Sequence, residues 1–150
     1  MAKLTNTFDL DLDAIAAWRV VGDIADAASW VPGVVSARFD GTVRTCTTAD
    51  GAEIMERISD RSDRDMSFRY EHLATPAPVR GSHGILRVRS TGTGCRVEWD
   101  AEFIPADPAH AAEITAAMAA AFGQAAQSLQ NRIESAAQPG RPARSSGLGG

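Results

Sequence analysis

The chain has 150 residues, of which 44% are hydrophobic, 23% charged and 6% aromatic. That is the length of one domain, with enough apolar residues for one sizeable core and too many for a disordered chain. A net charge of -4 argues against nucleic acid as the main partner, and no run reaches the eighteen apolar residues that a membrane span needs. The N-terminus, MAKLTNTFDLDLD, has no apolar segment followed by a small-residue cleavage site, so no secretory signal is expected. Cys46 and Cys95 fit no metal or redox spacing and read as two reduced thiols of a cytoplasmic protein.

In chain order, residues 3 to 11 read as a first strand with Leu4, Phe8 and Leu10 in phase. Asp11 or Asp13 caps a helix over Asp13 to Gly22, where Ile15, Trp18 and Val21 fall at helical spacing. A second short helix fits Ile24 to Trp30 and stops at Pro32-Gly33. The period then changes to two. Strands are expected at Val34 to Phe39, Thr42 to Thr48, Glu53 to Ser59, Met66 to Leu73, Ser82 to Ser90 and Cys95 to Ile104. Asp50-Gly51 is a hairpin signal, whereas Thr75-Pro76-Ala77-Pro78 cannot continue a ladder and reads as a loop. In the last strand Val97, Trp99, Ala101 and Phe103 point one way and Arg96, Glu98, Asp100 and Glu102 the other, which marks a sheet with one wet and one covered face. Asp107-Pro108 opens a long helix to about Ala137, roughly 45 Å at 1.5 Å per residue. Its stripe is Ile114, Met118, Phe122, Ala125, Leu129 and Ile133. Residues 138–150, rich in Gly, Pro and Ser, read as a mobile tail after a domain of residues 1–137, and there is no internal repeat.

Strands in a run, with helices segregated, give an α+β fold. The long helix is the one element large enough to cover the dry face of a seven-stranded curved antiparallel sheet. A sheet wrapped around one helix leaves a space between them.

Three stretches, in their order and spacing, carry a family resemblance. They are Trp30-Val31-Pro32-Gly33-Val34; Gly41-Thr42-Val43-Arg44 followed by Asp50-Gly51 and Met55-Glu56-Arg57-Ile58; and Pro76-Ala77-Pro78-Val79 followed by Gly92 to Trp99 and by Phe103 before Pro105. On these the chain, over about residues 5 to 136, resembles the START-like helix-grip (Bet v 1-like, SRPBCC) superfamily, and within it the polyketide cyclase/dehydrase group. The resemblance implies the helix-grip fold. It leaves the reaction open, because the superfamily holds cyclases, lipid and hormone carriers and co-chaperones.

Strand parity assigns the inward side chains. Phe68, Tyr70 and His72 share a face opposite Arg69 and Glu71, and Glu56 shares a face with Ile54 and Ile58. A carboxylate there needs a partner, and Arg44 across the Asp50-Gly51 hairpin is the candidate. A two-residue loop pairs Glu56 with Thr45 and sends Arg44 to the opposite face. A loop one residue longer pairs Glu56 with Cys46 and puts Arg44 diagonally beside it. Glu56 is then either half of a structural ion pair or a cavity acid/base. His72 is either a solvated edge histidine or a proton shuttle. Tyr70 is either a core aromatic or a donor to an enolate oxygen. Trp30, Phe68, Trp99, Phe103, Met118 and Phe122 form an apolar lining, some of it core and some of it facing a ligand. His83 reads as outward-facing and His110 as solvated.

No dinucleotide, P-loop, zinc-protease or hydrolase-elbow motif occurs, and the three histidines lie on separate elements with no metal spacing. Arg61, Arg64 and Arg69 alternate with Asp60, Asp63 and Asp65 as a solvated loop. Three functions remain in competition. The first is an enzyme that cyclises, dehydrates or rearranges a hydrophobic biosynthetic intermediate without a cofactor, using Glu56, Tyr70 or His72. The second is a non-catalytic carrier of a lipid or other apolar molecule, and the third an interaction module with a filled core. The pattern leaves a homodimer through the sheet edge or the helices open.

Overall fold

The computed structural model describes residues 1–137; the expected tail at 138–150 lies outside the described residues. Its strands are β1 (Ala2–Leu10), β2 (Val34–Phe39), β3 (Val43–Thr48), β4 (Glu53–Ser62), β5 (Ser67–Ala74), β6 (Val79–Ser90) and β7 (Cys95–Pro105). They form one seven-stranded sheet in the order β1-β7-β6-β5-β4-β3-β2, antiparallel at every pairing. Helix α1 (Ala14–Val21) and a 3-10 segment (Ile24–Ser29) connect β1 at one edge of the sheet to β2 at the other. The long C-terminal helix begins with a 3-10 turn, Pro108–His110, before α2 (Ala111–Ala136). Asp107 caps that turn by accepting from the Ala109 amide at 3.0 Å. No helix among the described residues is long and apolar enough to cross a membrane.

The alternation read from β7 holds: Cys95, Val97, Trp99 and Phe103 are buried, while Arg96 and Asp100 are exposed. The outer face carries cross-strand ion pairs such as Arg96–Asp9 at 2.7 Å and Arg57–Glu71 at 3.0 Å. Such exposed pairs contribute little each. The core lies between the inner face, α1 and the C-terminal half of α2. Phe68, Val88, Val97, Leu129 and Ile133 are its most deeply buried large side chains. Cys46 on β3 and Cys95 on β7 are free buried thiols, with three strands between theirs.

Two local readings need correction. The β3–β4 hairpin takes neither of the expected registers, because Arg44 pairs directly with Glu56. The Gly51 amide donates to the Thr48 carbonyl at 2.9 Å and the Thr48 amide to the Ala52 carbonyl at 2.9 Å, so the loop is Ala49-Asp50-Gly51. The extra residue sits before Asp50, and Gly51 supplies the positive φ (+89°) that this turn-plus-bulge requires. Strand β4 also runs on to Ser62 rather than ending at Ser59, through an irregularity in its pairing with β5 between Ser59 and Ser62.

Candidate active site

The inner face is not filled along its whole length. Where Ser82 of β6, Ala101 of β7, and Ala121 and Ala125 of α2 line the gap between sheet and helix, side chains are too small to meet across it. They leave a chamber of 350 Å³ walled by Trp99, Phe103, Met118 and Phe122. That volume is in the range of small-molecule sites. Behind it lies a smaller chamber of 140 Å³, bordered by Trp30, Arg44, Cys46 and Glu56. Val31, Tyr70, His72 and Trp99 belong to both walls. Aromatic edges stiffen the lining. Trp99 meets Phe122 at 4.7 Å between ring centroids and Trp30 at 5.8 Å, both edge-on.

The polar groups converge at the partition between the chambers. Arg44 Nε donates to Glu56 Oε1 at 2.7 Å, and Arg44 Nη1 reaches the Ile24 carbonyl at 3.3 Å. Both side chains of that ion pair are about nine-tenths buried or more. The other carboxylate oxygen, Oε2, lies 3.5 Å from His72 Nε2. His72 Nδ1 is 2.8 Å from Ser82 Oγ. Burial holds the His72 imidazole below its ordinary 6.5; Glu56 pulls it up and Arg44 pushes it down. His72 is therefore neutral at pH 7. The tautomer that satisfies both neighbours carries its proton on Nε2, facing the carboxylate, and accepts the Ser82 O–H at Nδ1.

Tyr70 completes the group. Its hydroxyl accepts the Trp99 indole N–H at 3.0 Å, so its own proton is free to donate. Burial pushes the phenol well above the usual tyrosine range and keeps it protonated. Tyr70 lies opposite Gly84 in the β5–β6 register, with its ring directly over that glycine. A Cβ at position 84 would sit 2.5 Å from the ring carbon Cζ, so any side chain there expels the phenol from its place.

A family model described as "Polyketide cyclase / dehydrase and lipid transport" matches residues 1–134. The chain belongs to this family. No curated protein matches it. Among solved structures, this cyclase/dehydrase family member is similar to the protein XoxI from Bacillus cereus, with a TM-score of 0.80 and 21% identity over 92% of this chain and 99% of that one. It is similar to a Thermobifida fusca protein with a TM-score of 0.73 and 23% identity, over 91% of this chain and 95% of the other. It also resembles BexL, the di-domain ARO/CYC of the BE-7585A biosynthetic pathway, with a TM-score of 0.78 and 16% identity. That match spans 93% of this chain and 48% of BexL. At these identities the likenesses establish the helix-grip fold.

Strand parity gives the inward faces of Glu56, Tyr70, His72, Trp99 and Phe103 as the structure has them, while Arg44 enters the site through a register that parity leaves open. Glu56, Tyr70, His72 and Arg44 meet at one partition, and Trp30, Trp99, Phe103, Met118 and Phe122 all line one chamber or the other. Phe68 is the exception. It is 1% exposed, sits in the packed core and borders neither chamber. His83 turns outward, with Nε2 3.4 Å from Glu102, and His110 contacts Asp107 in the exposed 3-10 turn. Sequence reasoning sets Ser82 aside, because Gly81-Ser82-His83-Gly84 lacks the second glycine of a hydrolase elbow and sits on a strand, and it misses the role of Gly84. The available signal was a run of small residues at inward positions of β6 and β7, facing the small residues of α2. Among the described residues no group of three or more His, Cys, Asp or Glu is placed to hold a metal ion.

Proposed function

We propose that this protein binds a hydrophobic, ring-forming biosynthetic intermediate in the larger chamber and promotes its cofactor-free cyclisation and dehydration. The observation that carries this reading is the set Tyr70, His72 and Ser82 in a chamber whose remaining lining is apolar but for Gln124. Apolar walls fold a flexible chain and exclude water, and the polar groups act on its carbonyls. His72, neutral at working pH, removes an acidic proton from carbon between two carbonyls, directly at Nδ1 or through the Ser82 hydroxyl. The enolate oxygen that forms receives the Tyr70 O–H, which the Trp99 indole polarises from behind. The enolate carbon attacks a second carbonyl of the same chain. That C–C bond closes the ring, and the imidazolium returns its proton to the new alkoxide; His72 then takes a second α-proton and passes it to the departing hydroxyl, which leaves as water as a ring C=C bond forms. Glu56 holds the imidazole in the useful tautomer and favours its charged form, and Arg44 fixes Glu56.

A synthetic linear poly-β-ketone cyclises spontaneously to a mixture of products. The expected result is that the protein concentrates the products into one ring pattern, and that His72→Ala slows its formation ~100-fold or more with little change in binding. If binding persists but wild type and His72→Ala leave the mixture alike, the protein is a carrier of apolar molecules rather than a catalyst. An interaction module would have a filled interior, which the 350 Å³ chamber argues against.

A further inference from the structure

We propose a second activity for the same chamber: Ser82 is a nucleophile that accepts the acyl group of small apolar carboxylic esters, with His72 as its base and Glu56 as the residue that positions that base. Ser82 is buried, lines the larger chamber and has its Oγ 2.8 Å from His72 Nδ1. The opposite ring nitrogen faces Glu56 Oε2 at 3.5 Å, and Arg44 holds the other carboxylate oxygen at 2.7 Å. A hydroxyl, an imidazole and a carboxylate in series are what activation of serine requires. Glu56 keeps the ring proton on Nε2, which leaves a lone pair on the nitrogen that faces Ser82. A register shift in the β6–β7 pairing lies between Arg80 and His83, at the position of the serine. The Tyr70 hydroxyl, over Gly84 on the same face two residues along β6, is a free donor for the oxyanion.

The chemistry balances without a cofactor. Ser82 Oγ attacks the ester carbonyl as its proton passes to His72 Nδ1, and the carbonyl electrons go to an oxygen held by Tyr70. The tetrahedral intermediate collapses, the C–O bond to the alcohol breaks, and the imidazolium protonates the departing alkoxide. Water then attacks the acyl-serine with His72 again as base, releasing the carboxylic acid and restoring Ser82. The acyl chain lies along Trp99, Met118 and Phe122. A polar depression bordered by His72, Arg80 and Ser82 on the outer side gives water a route to the acyl-serine.

The charged and titratable groups around His72 are Glu56 from β4, Arg44 and Cys46 from β3, Tyr70 from β5 and Arg80 from β6; α2 contributes only the uncharged Gln124 to the shared chamber. The rate should rise with pH through a midpoint below 6.5 and then level off, because burial depresses the imidazole. Glu56→Gln should move that midpoint lower still, since Glu56 is the group that raises it. A residue that merely held the fold would leave the midpoint alone.

The test uses the full chain and p-nitrophenyl butyrate. The expected result is p-nitrophenolate release above the buffer rate, with a butyryl group mapped by mass spectrometry to the peptide carrying Ser82. Ser82→Ala and His72→Gln should each lower release ~100-fold or more. Ser82→Ala removes one hydroxyl, and its near-ultraviolet dichroism shows whether the chamber is intact. Binding of a fluorescent apolar probe by the unmodified protein reports on the chamber alone. Protein that binds the probe but releases no p-nitrophenolate, or that carries the butyryl group elsewhere, overturns the acyl-transfer proposal and leaves the cyclisation reading standing.

Discussion

The two halves of α2 face the same sheet, yet they do different things. Beyond Ala125 its C-terminal half buries Ala126, Leu129 and Ile133 in the packed core. Its N-terminal half buries only Ile114 fully and turns half-buried Met118 and Phe122 toward a chamber. The stripe is continuous and its composition barely changes. What changes most is the sheet opposite. Phe68, Leu86, Val88 and Val97 fill the space at one end, while Ser82 and Ala101 do not fill it at the other. A hollow is thus specified by small residues on both facing walls, Ser82 and Ala101 on the sheet and Ala121 and Ala125 on the helix.

The comparison predicts two stability regimes within one domain. The hollow end contains the most sensitive position of all, because the Arg44–Glu56 pair of its polar partition is buried. Arg44→Met leaves Glu56 without its partner and should destabilise the protein by ~3–5 kcal/mol in chemical unfolding, with most of the loss recovered in Arg44→Met/Glu56→Leu. Full stability in the single variant would show that the pair is solvated. At the packed end Leu129 is 0% exposed, and Leu129→Ala should cost about 3 kcal/mol by leaving a void that the surroundings cannot close.

A third prediction concerns pH. Burial raises the Tyr70 phenol above its ordinary 10.0, so the unfolded chain ionises first and the folded state retains the proton. Stability should therefore fall as pH climbs past 10, with a slope that approaches ~1.4 kcal/mol per pH unit in urea unfolding. Tyr70→Phe should reduce that slope, leaving the part due to the Cys46 and Cys95 thiols, which burial also pushes up. On the acid side the depressed His72 works in the opposite direction: the unfolded chain binds the extra proton, so stability is lost as pH falls below 6.5. The smallest effect belongs to the chamber wall. Met118→Ala should cost less than about 1 kcal/mol, since much of the side chain already faces open volume. A loss as large as that at Leu129 would mean the two halves of the helix are packed alike.

The same contrast explains what the sequence made legible. Strand alternation fixed which face of β4, β5 and β7 is inward, so Glu56, Tyr70, His72 and Trp99 could be placed by parity alone. Parity does not distinguish a side chain that meets another from one that meets empty space, and Phe68 was assigned to the lining for that reason. Register was harder. Asp50-Gly51 announced a turn, but whether the loop's third residue precedes or follows the pair depends on which carbonyl the Gly51 amide reaches. That choice decides whether Arg44 stands opposite Glu56. Gly81-Ser82-His83-Gly84 lacks the second glycine of a hydrolase elbow and sits on a strand, so Ser82 reads as inert until the β5–β6 pairing sets it against His72.

The most direct test of the hollow is to fill it. Ala125 lies on α2 against the larger chamber, and Trp99 in the opposite wall reports on anything that enters. Titration of the full chain with a fluorescent apolar probe, followed by energy transfer from tryptophan, should give saturable binding at one site per chain. Ala125→Phe should abolish it while the fold survives in far-ultraviolet dichroism. No saturable binding by the wild type, or equal binding by the filled variant, would contradict an open chamber between sheet and helix.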